Sequence, residues 1–327
     1  MPYVTVWAGH TSFAPIGLFS RGPFAIAYGG TMLEIKLILC PIDFSEFSVR
    51  AYRHALSLAE HYRARLVVQH IVEVWRHPSA SFAATASLYD EYCQSLRGDG
   101  EEQLQEFVKS HTHDEVAPEL VVDQGTAPDS ILSFAQQQKS DLIVMGTHGL
   151  RGFDRLMLGS ATDRVMRRAP CPVLAVREPP DESLAAGQER HCLHHLNRIL
   201  CCTDFSEDSD RALNYAISAA AEYDAELTLM HVLEEDPSPA KAGEAIAAAM
   251  EKLDKLIPLE RRKTLKVKPA VRIGKPYREI IQLALEMQTD LVTMGVRGRG
   301  ALDLAVFGST TYRVMQLGPC PVLTAHV

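Results

Sequence analysis

The stretch "MGTHGLRGFDRLMLGSATDRVMRRAPCPVLAV", residues 145–176, places four glycines between an apolar run and a polar helix. Gly146 and Gly149 form a G-x-x-G spacing, and nine residues later Gly159 and Ser160 open the helix. Glycine lets a backbone approach a bulky anion, and the N–H groups of a helix start attract negative charge. Ser160 adds a hydroxyl donor and is the predicted helix N-cap. The stretch predicts a phosphate-binding loop.

Residues 294–327 repeat the pattern as "MGVRGRGALDLAVFGSTTYRVMQLGPCPVLTAHV". Gly295 and Gly298 are again followed, nine residues later, by Gly308 and Ser309. A single G-x-x-G is common in loops that merely turn, whereas two copies at identical spacing favour binding. Neither a Walker loop nor a complete G-x-G-x-x-G is present, so no other nucleotide fingerprint competes.

The repeat extends over most of the chain. Asp43 aligns with Asp204 at an offset of 161 residues, whereas Gly146 aligns with Gly295 at an offset of 149. The second copy is therefore 12 residues shorter, and the difference is predicted to lie in the middle helix.

Each copy alternates short apolar runs with amphipathic segments of helical period, which predicts the order β-α-β-α-β-α-β-α-β. Continuous apolar strands favour a parallel sheet covered by helices on both faces. The fold class is therefore α/β, with two tandem doubly wound five-stranded domains. In such sheets ligands bind beyond the carboxyl ends of the strands, where the strand order reverses. The predicted strands of the first copy are 36–42, 65–72, 118–124, 141–145 and 172–176.

The length of 327 residues suits two domains, which we place at 32–177 and 196–327. Residues 178–195, with Pro, Gly and mixed charge, are the predicted linker. Residues 1–31 have no counterpart in the second copy, and we expect either a disordered extension or a start codon assigned too early.

Composition narrows the class of protein. A net charge of −8 and a pI near 5.9 argue against broad nucleic-acid binding. No segment is apolar enough for a membrane span, and the seven cysteines lack zinc spacing. Reduced, buried thiols in a cytoplasmic protein are the expectation, in preference to disulfides or thiol catalysis.

These residues resemble the universal stress protein family. The family's G-x-x-G, nine residues, G-[ST] signature is present twice, and so are "DFS" after the first strand and a final "PCPVL" strand. The resemblance covers roughly residues 33–327, apart from the linker. It implies a tandem member of the ATP-binding branch, with the adenine-nucleotide alpha-hydrolase-like fold.

The resemblance also implies a role for each matching residue, with ATP as the ligand and Mg or Mn beside it. Cys202 stands where the first copy has proline, so the second adenine wall departs from the pattern. The residues that match the adenine and ribose wall and the triphosphate cradle are Pro41, Asp43, Ile71, Met145, Gly146, Gly149, Gly159, Ser160, Ala161 and Thr162 in the first copy, and Asp204, Val232, Met294, Gly295, Gly298, Gly308, Ser309 and Thr310 in the second.

Several residues keep two interpretations. Asp43 and Asp204 either contact ribose or cap the helix that follows, or do both. Arg297 and Arg299 either add charge for phosphate or belong to a solvated loop. His70, like its counterpart in the second copy, ends a strand, where a histidine satisfied by the backbone is favoured over a catalyst.

We predict a stress or signalling protein in which ATP orders the loops 147–158 and 296–307. This ordering would change the surface that an unknown protein partner recognises. The alternative is a slow ATP hydrolase or autophosphorylating phosphotransfer protein, with Ser160 or Ser309 as acceptor, although no general base repeats nearby. A third hypothesis is an interaction protein with relic glycines. The final strands are predicted to pair as an internal pseudo-dimer, and the whole chain to dimerise further.

Overall fold

The computed structural model describes residues 34–73, 83–112, 116–148, 158–177, 195–234, 239–298 and 308–325. The expected extension 1–31, nearly all of the linker, Gly149, Arg299 and most of both glycine loops lie outside these ranges.

The strands of the first repeat match their predicted positions to within one residue. They are β1 Leu37–Ile42, β2 Arg65–Val72, β3 Glu119–Gln124, β4 Leu142–Gly146 and β5 Val173–Val176. The helices between them are α1 Glu46–Tyr62, α2 Ala83–His111, α3 Ala127–Gln138 and α4 Ser160–Arg168.

The second repeat has the same order with one short helix added. Its strands are β6 Arg198–Cys202, β7 Glu226–Leu233, β8 Lys266–Ile273, β9 Leu291–Gly295 and β10 Val322–Ala325. Its helices are α5 Glu207–Tyr223, α6 Pro239–Leu256, α7 Leu259–Arg262, α8 Pro276–Glu286 and α9 Ser309–Leu317. The predicted length difference falls in the middle helix, since α2 has 29 residues and α6 has 18.

All ten strands form one sheet in the order β3-β2-β1-β4-β5-β10-β9-β6-β7-β8. Within each repeat every pair is parallel, and the strand order reverses between β1 and β4 and between β6 and β9. The chain therefore contains two doubly wound five-stranded units, as predicted.

Helices cover both faces of this sheet. Side chains alternate along β1, so that Ile38 packs in the cluster under α1 and α2, while Leu39 packs in the cluster under α3 and α4. The first face continues over α5 and α6, and the second over α8 and α9. The continuous apolar strands are explained by this burial on both sides.

The two repeats join through their last strands. Strand β5 pairs antiparallel with β10, with Leu174 opposite Leu323, and Thr324 Oγ1 donates to the Val173 carbonyl at 3.3 Å. The predicted internal pseudo-dimer is confirmed, because each final strand covers the edge that the other would expose.

Cysteines in the described ranges are free thiols, and most are buried. Burial raises the pKa of Cys201 and of Cys320 to about 12, so both thiols stay protonated and pack as small apolar groups. None of the helices in the described part of the chain is long and apolar enough to span a membrane.

Candidate functional site

Each point where the strand order reverses brings an aspartate and a glycine together. Asp43 follows β1 and Gly146 ends β4, and these two strands are neighbours. In the second repeat Asp204 follows β6 and Gly295 ends β9. Since the carboxyl ends of parallel strands share one edge, Asp43 lies at the same sheet edge as Gly146, and Asp204 at the same edge as Gly295.

The helices α4 and α9 begin without a side-chain cap. Gly159 is the N-cap of α4, and its own N–H donates to the Thr147 carbonyl at 2.9 Å. Gly308 caps α9 in the same way, donating to Val296 at 3.0 Å. The prediction that Ser160 is the N-cap is wrong, because it is the first helical residue. A glycine cap offers no oxygen to the first turn, so its backbone donors remain available to an anion.

The threonines of these first turns hold the strand-end glycines. Thr162 Oγ1 donates to the Gly146 carbonyl at 2.9 Å, and Thr311 Oγ1 donates to Gly295 at 2.9 Å. Both threonines are buried. Their hydroxyls thus fix the helix start to the strand, while Ser160, Ala161, Ser309 and Thr310 occupy the more open positions of the two turns.

The aspartate after each first strand organises the turn into the helix. Asp43 Oδ1 accepts from the Ser45 hydroxyl at 2.6 Å and from the Ser48 hydroxyl at 2.6 Å. Asp204 Oδ1 accepts from the Ser206 hydroxyl at 2.6 Å. The N-caps are Ser45 and Ser206, so the interpretation that the aspartates cap these helices is wrong. Each aspartate instead orients the serine that caps.

A tight turn and a histidine support each aspartate. Phe44 has φ 65°, a left-handed conformation unusual for a bulky side chain, and its ring lies 4.4 Å from the His70 ring. His70 Nδ1 lies 3.1 Å from the Ile42 carbonyl, and His231 Nδ1 lies 2.8 Å from Thr203. Burial lowers the pKa of His70, which favours the neutral ring donating from Nδ1. Both strand-end histidines are satisfied by the backbone, as predicted.

Glycine is required where β4 packs against the start of α1 and where β9 packs against the start of α5. A Cβ on Gly146 would lie 2.8 Å from Phe47 Cβ, and one on Gly295 would lie 2.9 Å from the Ser209 nitrogen. A Cβ on Gly298 would lie 2.9 Å from Oδ2 of Asp204. The second glycine loop therefore leaves its sheet directly beside the aspartate of the site.

The predicted adenine walls share one apolar face. Ile71 and Met145 belong to the cluster under α3 and α4, and Val232 and Met294 belong to the same cluster under α8 and α9. Pro41 is buried in β1 opposite Gln69, two residues before Ile71. Apolar side chains thus lie on one face of the sheet near the carboxyl ends of these strands.

Arg297 does not belong to a solvated loop, because its guanidinium pairs with a buried carboxylate. Its Nε lies 3.0 Å from Asp208 Oδ2, its Nη2 lies 3.2 Å from Oδ1, and its backbone N–H also donates to Oδ2. Asp208 is 5 % exposed. The guanidinium is therefore neutralised inside the protein. The sequence reasoning missed this pair, although the repeat alignment carried the signal: Phe47 and His148 stand at the two equivalent positions and are also in contact.

The comparisons agree with this arrangement. The sequence matches the profile of the universal stress protein family at residues 34–177 and again at 195–326. The chain belongs to the universal stress protein family. A family member of Methanocaldococcus jannaschii is 34% identical over 147 residues, covering 45% of this chain and 85% of the relative. Another, of Thermus aquaticus, is 34% identical over 142 residues, covering 43% and 98%.

Two solved structures resemble the whole tandem chain. A universal stress protein from Archaeoglobus fulgidus has a TM-score of 0.65 at 22% identity, covering 88% of this chain and 97% of its own. A functionally unknown protein from Pseudomonas aeruginosa has a TM-score of 0.55 at 17% identity, covering 89% and 92%. At these identities the likeness supports the tandem fold alone.

Proposed function

We propose that each half of this universal stress protein binds ATP, in the crevice between β1 and β4 and in that between β6 and β9. The observation that carries the proposal is a helix start with a glycine cap at the sheet edge where the strand order reverses and where an aspartate follows the neighbouring strand. It occurs twice with nearly the same distances. Open backbone donors at a helix start suit a phosphate chain.

The remaining residues fit a nucleoside. A carboxylate such as Asp43 or Asp204 accepts hydrogen bonds from ribose hydroxyls, and the apolar borders at Ile71 and Val232 suit a purine ring. Backbone donors of Ser160 and of its counterpart in α9 would receive the phosphates. With the proposed domain limits 32–177 and 196–327, each unit would contain one site.

A divalent cation, Mg or Mn, is proposed to accompany the nucleotide. In the described ranges no group of three or more His, Cys, Asp or Glu side chains is placed to hold a metal by itself. Mg²⁺ usually keeps several waters and binds largely through substrate phosphates, so the cation would be held mainly by the nucleotide itself and would neutralise part of the phosphate charge.

Nucleotide occupancy is proposed to act as the signal of a cytoplasmic stress-response protein. Binding stabilises the form that binds, so occupancy follows ATP concentration by mass action. The loops 147–158 and 296–307 are the segments we expect the phosphates to order, changing the surface that a protein partner or a second copy of the chain would bind.

Equilibrium dialysis with ATP tests the proposal. The native chain is expected to bind two equivalents, and Gly298→Val one, because any side chain there displaces the Asp204 carboxylate. Adding Gly149→Val should abolish binding. Gly243→Ala, in open space on α6, is the control and should retain two equivalents. Two equivalents bound by the double variant would refute the assignment. ADP release above roughly 1 per second in the same samples would favour the hydrolase alternative.

A further inference from the structure

One side chain of the second domain reaches the phosphate cradle of the first. Tyr312 lies in the first turn of α9, where its backbone N–H donates to the Gly308 carbonyl at 2.9 Å. Its hydroxyl accepts a hydrogen bond from the backbone N–H of Leu158 at 3.3 Å. Leu158 immediately precedes Gly159, the N-cap of α4. Tyr312 therefore connects the starts of the two helices that frame the two sites.

We propose that Tyr312 is a positioning residue that couples the two sites, so that an anion bound at α9 favours anion binding at α4. The inference rests on the proposed function. A phosphate on the first turn of α9 steadies the backbone that carries Tyr312, and the Tyr312 hydroxyl then holds Leu158 where the chain enters α4. Because coupling between binding sites is reciprocal, occupancy of the first site favours the second equally.

Buried packing supports the contact between Tyr312 and Leu158, so that a change at one site can affect anion binding at the other. Leu158 is 6 % exposed and lies in the same apolar cluster as Val314 and Met315 of α9, against which the ring of Tyr312 also packs. That cluster runs without interruption from the first domain to the second. A displacement of the first turn of α9 is therefore carried by buried contacts as well as by the hydrogen bond.

The contact made by Tyr312 is not repeated at the equivalent position of the first copy. The position equivalent to Tyr312 in the first copy holds Asp163, whose carboxylate accepts from Arg167 Nε at 2.9 Å and from its Nη2 at 2.9 Å. Asp163 is shorter than tyrosine and is engaged within its own helix. Among the described residues, the repeat supplies the sites twice, whereas the second domain alone supplies the connecting side chain.

Native mass spectrometry of the full chain with ATP and Mg²⁺ tests the coupling, because it resolves chains with zero, one and two nucleotides. The measured quantity is the ratio of the second stepwise association constant to the first. Tyr312→Phe removes only the hydroxyl and should lower this ratio about threefold, the effect of one modest hydrogen bond. Tyr277→Phe is the matched control, since its hydroxyl bonds Arg278 within the second domain, and should leave the ratio unchanged.

Hydrogen exchange of the ligand-free protein checks the contact itself. The Leu158 amide should exchange faster in Tyr312→Phe than in the native chain or in Tyr277→Phe. An unchanged ratio in Tyr312→Phe, or an equal fall in the control, overturns the coupling while leaving nucleotide binding intact. Absence of nucleotide from every variant overturns the proposed function itself, so the two failures are distinguishable.

Discussion

The strand-end glycines of the two halves rest against different supports. Gly146 faces Phe47, whose ring centroid lies 5.0 Å from that of His148. Gly295 faces Asp208, which binds Arg297 through two side-chain hydrogen bonds. An aromatic contact in one half and a buried ion pair in the other thus pack against the equivalent glycine. The difference shows that the two halves retain a backbone geometry and not a particular side-chain chemistry.

What is repeated around these glycines consists mainly of bonds that involve the backbone. In both halves a threonine hydroxyl donates to the strand-end glycine carbonyl at 2.9 Å. In both halves the glycine that caps the next helix donates its N–H back to the strand end. A site that binds phosphate through backbone N–H groups needs this backbone geometry. Such a site tolerates different side chains packed against the strand-end glycine.

The first strands of the two halves also differ in how far they pair with the neighbouring strand. The pairing of β1 with β4 covers Ile38 and Leu39, whereas β6 pairs with β9 as far as Cys202. Pro41 stands where the second half has Cys202 and has no N–H to donate to a ladder. The ladder between β1 and β4 is therefore shorter than that between β6 and β9.

Breaking the ion pair should produce the largest difference between the halves. Asp208→Ala leaves Arg297, whose side chain is 19% exposed, without its counter-charge, and is expected to destabilise the second domain by about 3 kcal/mol. Urea unfolding measures this change. Glu251→Ala breaks an exposed pair with Lys255 and should leave the free energy of unfolding nearly unchanged.

A double replacement sharpens that result. Asp208→Phe with Arg297→His reproduces the pair found in the first half and should recover much of the lost free energy of unfolding. An Asp208→Ala variant as stable as Glu251→Ala would show that the buried pair contributes nothing to the second half.

The shared backbone geometry predicts a second, smaller effect that is equal in both halves. Gly146→Ala and Gly295→Ala should each destabilise their own domain by about 2 kcal/mol, because the new methyl group would overlap atoms below 3.0 Å. Gly243→Ala, in an open position of α6, should instead stabilise by up to about 1 kcal/mol. A loss in one half alone, measured by urea unfolding, would contradict the view that the packing is common to both.

The strands, the repeat and the crevice were predictable because they depend on local pattern. Apolar runs fix strands that are buried on both faces, and topology then brings Asp43 and Gly146 to one edge. The true caps and the Arg297 pair were not predictable from one copy, because they depend on which side chain reaches which atom after packing. Ser45, for example, caps α1 only because Asp43 orients its hydroxyl.

The contact through Tyr312 was unpredictable for a related reason. It joins residues 154 positions apart, and it depends on how β5 and β10 register across the joint. No periodicity in either copy encodes that register.

The histidines near the ends of β2 and β7 offer the test of the comparison with the smallest expected effect. Burial lowers the folded-state pKa of His70 below its ordinary value of 6.5, so the unfolded chain binds a proton more readily than the folded one. The His70 contribution is complete above about pH 6.5 and is lost as the pH falls below that value towards the folded-state pKa. Unfolding free energies at pH 5, 6 and 7 should therefore fall less steeply towards low pH in His70→Gln than in the native chain. His231→Gln, measured in parallel, extends the comparison to the second half, where the ring bonds the Thr203 carbonyl at 2.8 Å. Parallel slopes for the native chain and His70→Gln would show that the ring accepts a proton in place, without loss of its bond to Ile42.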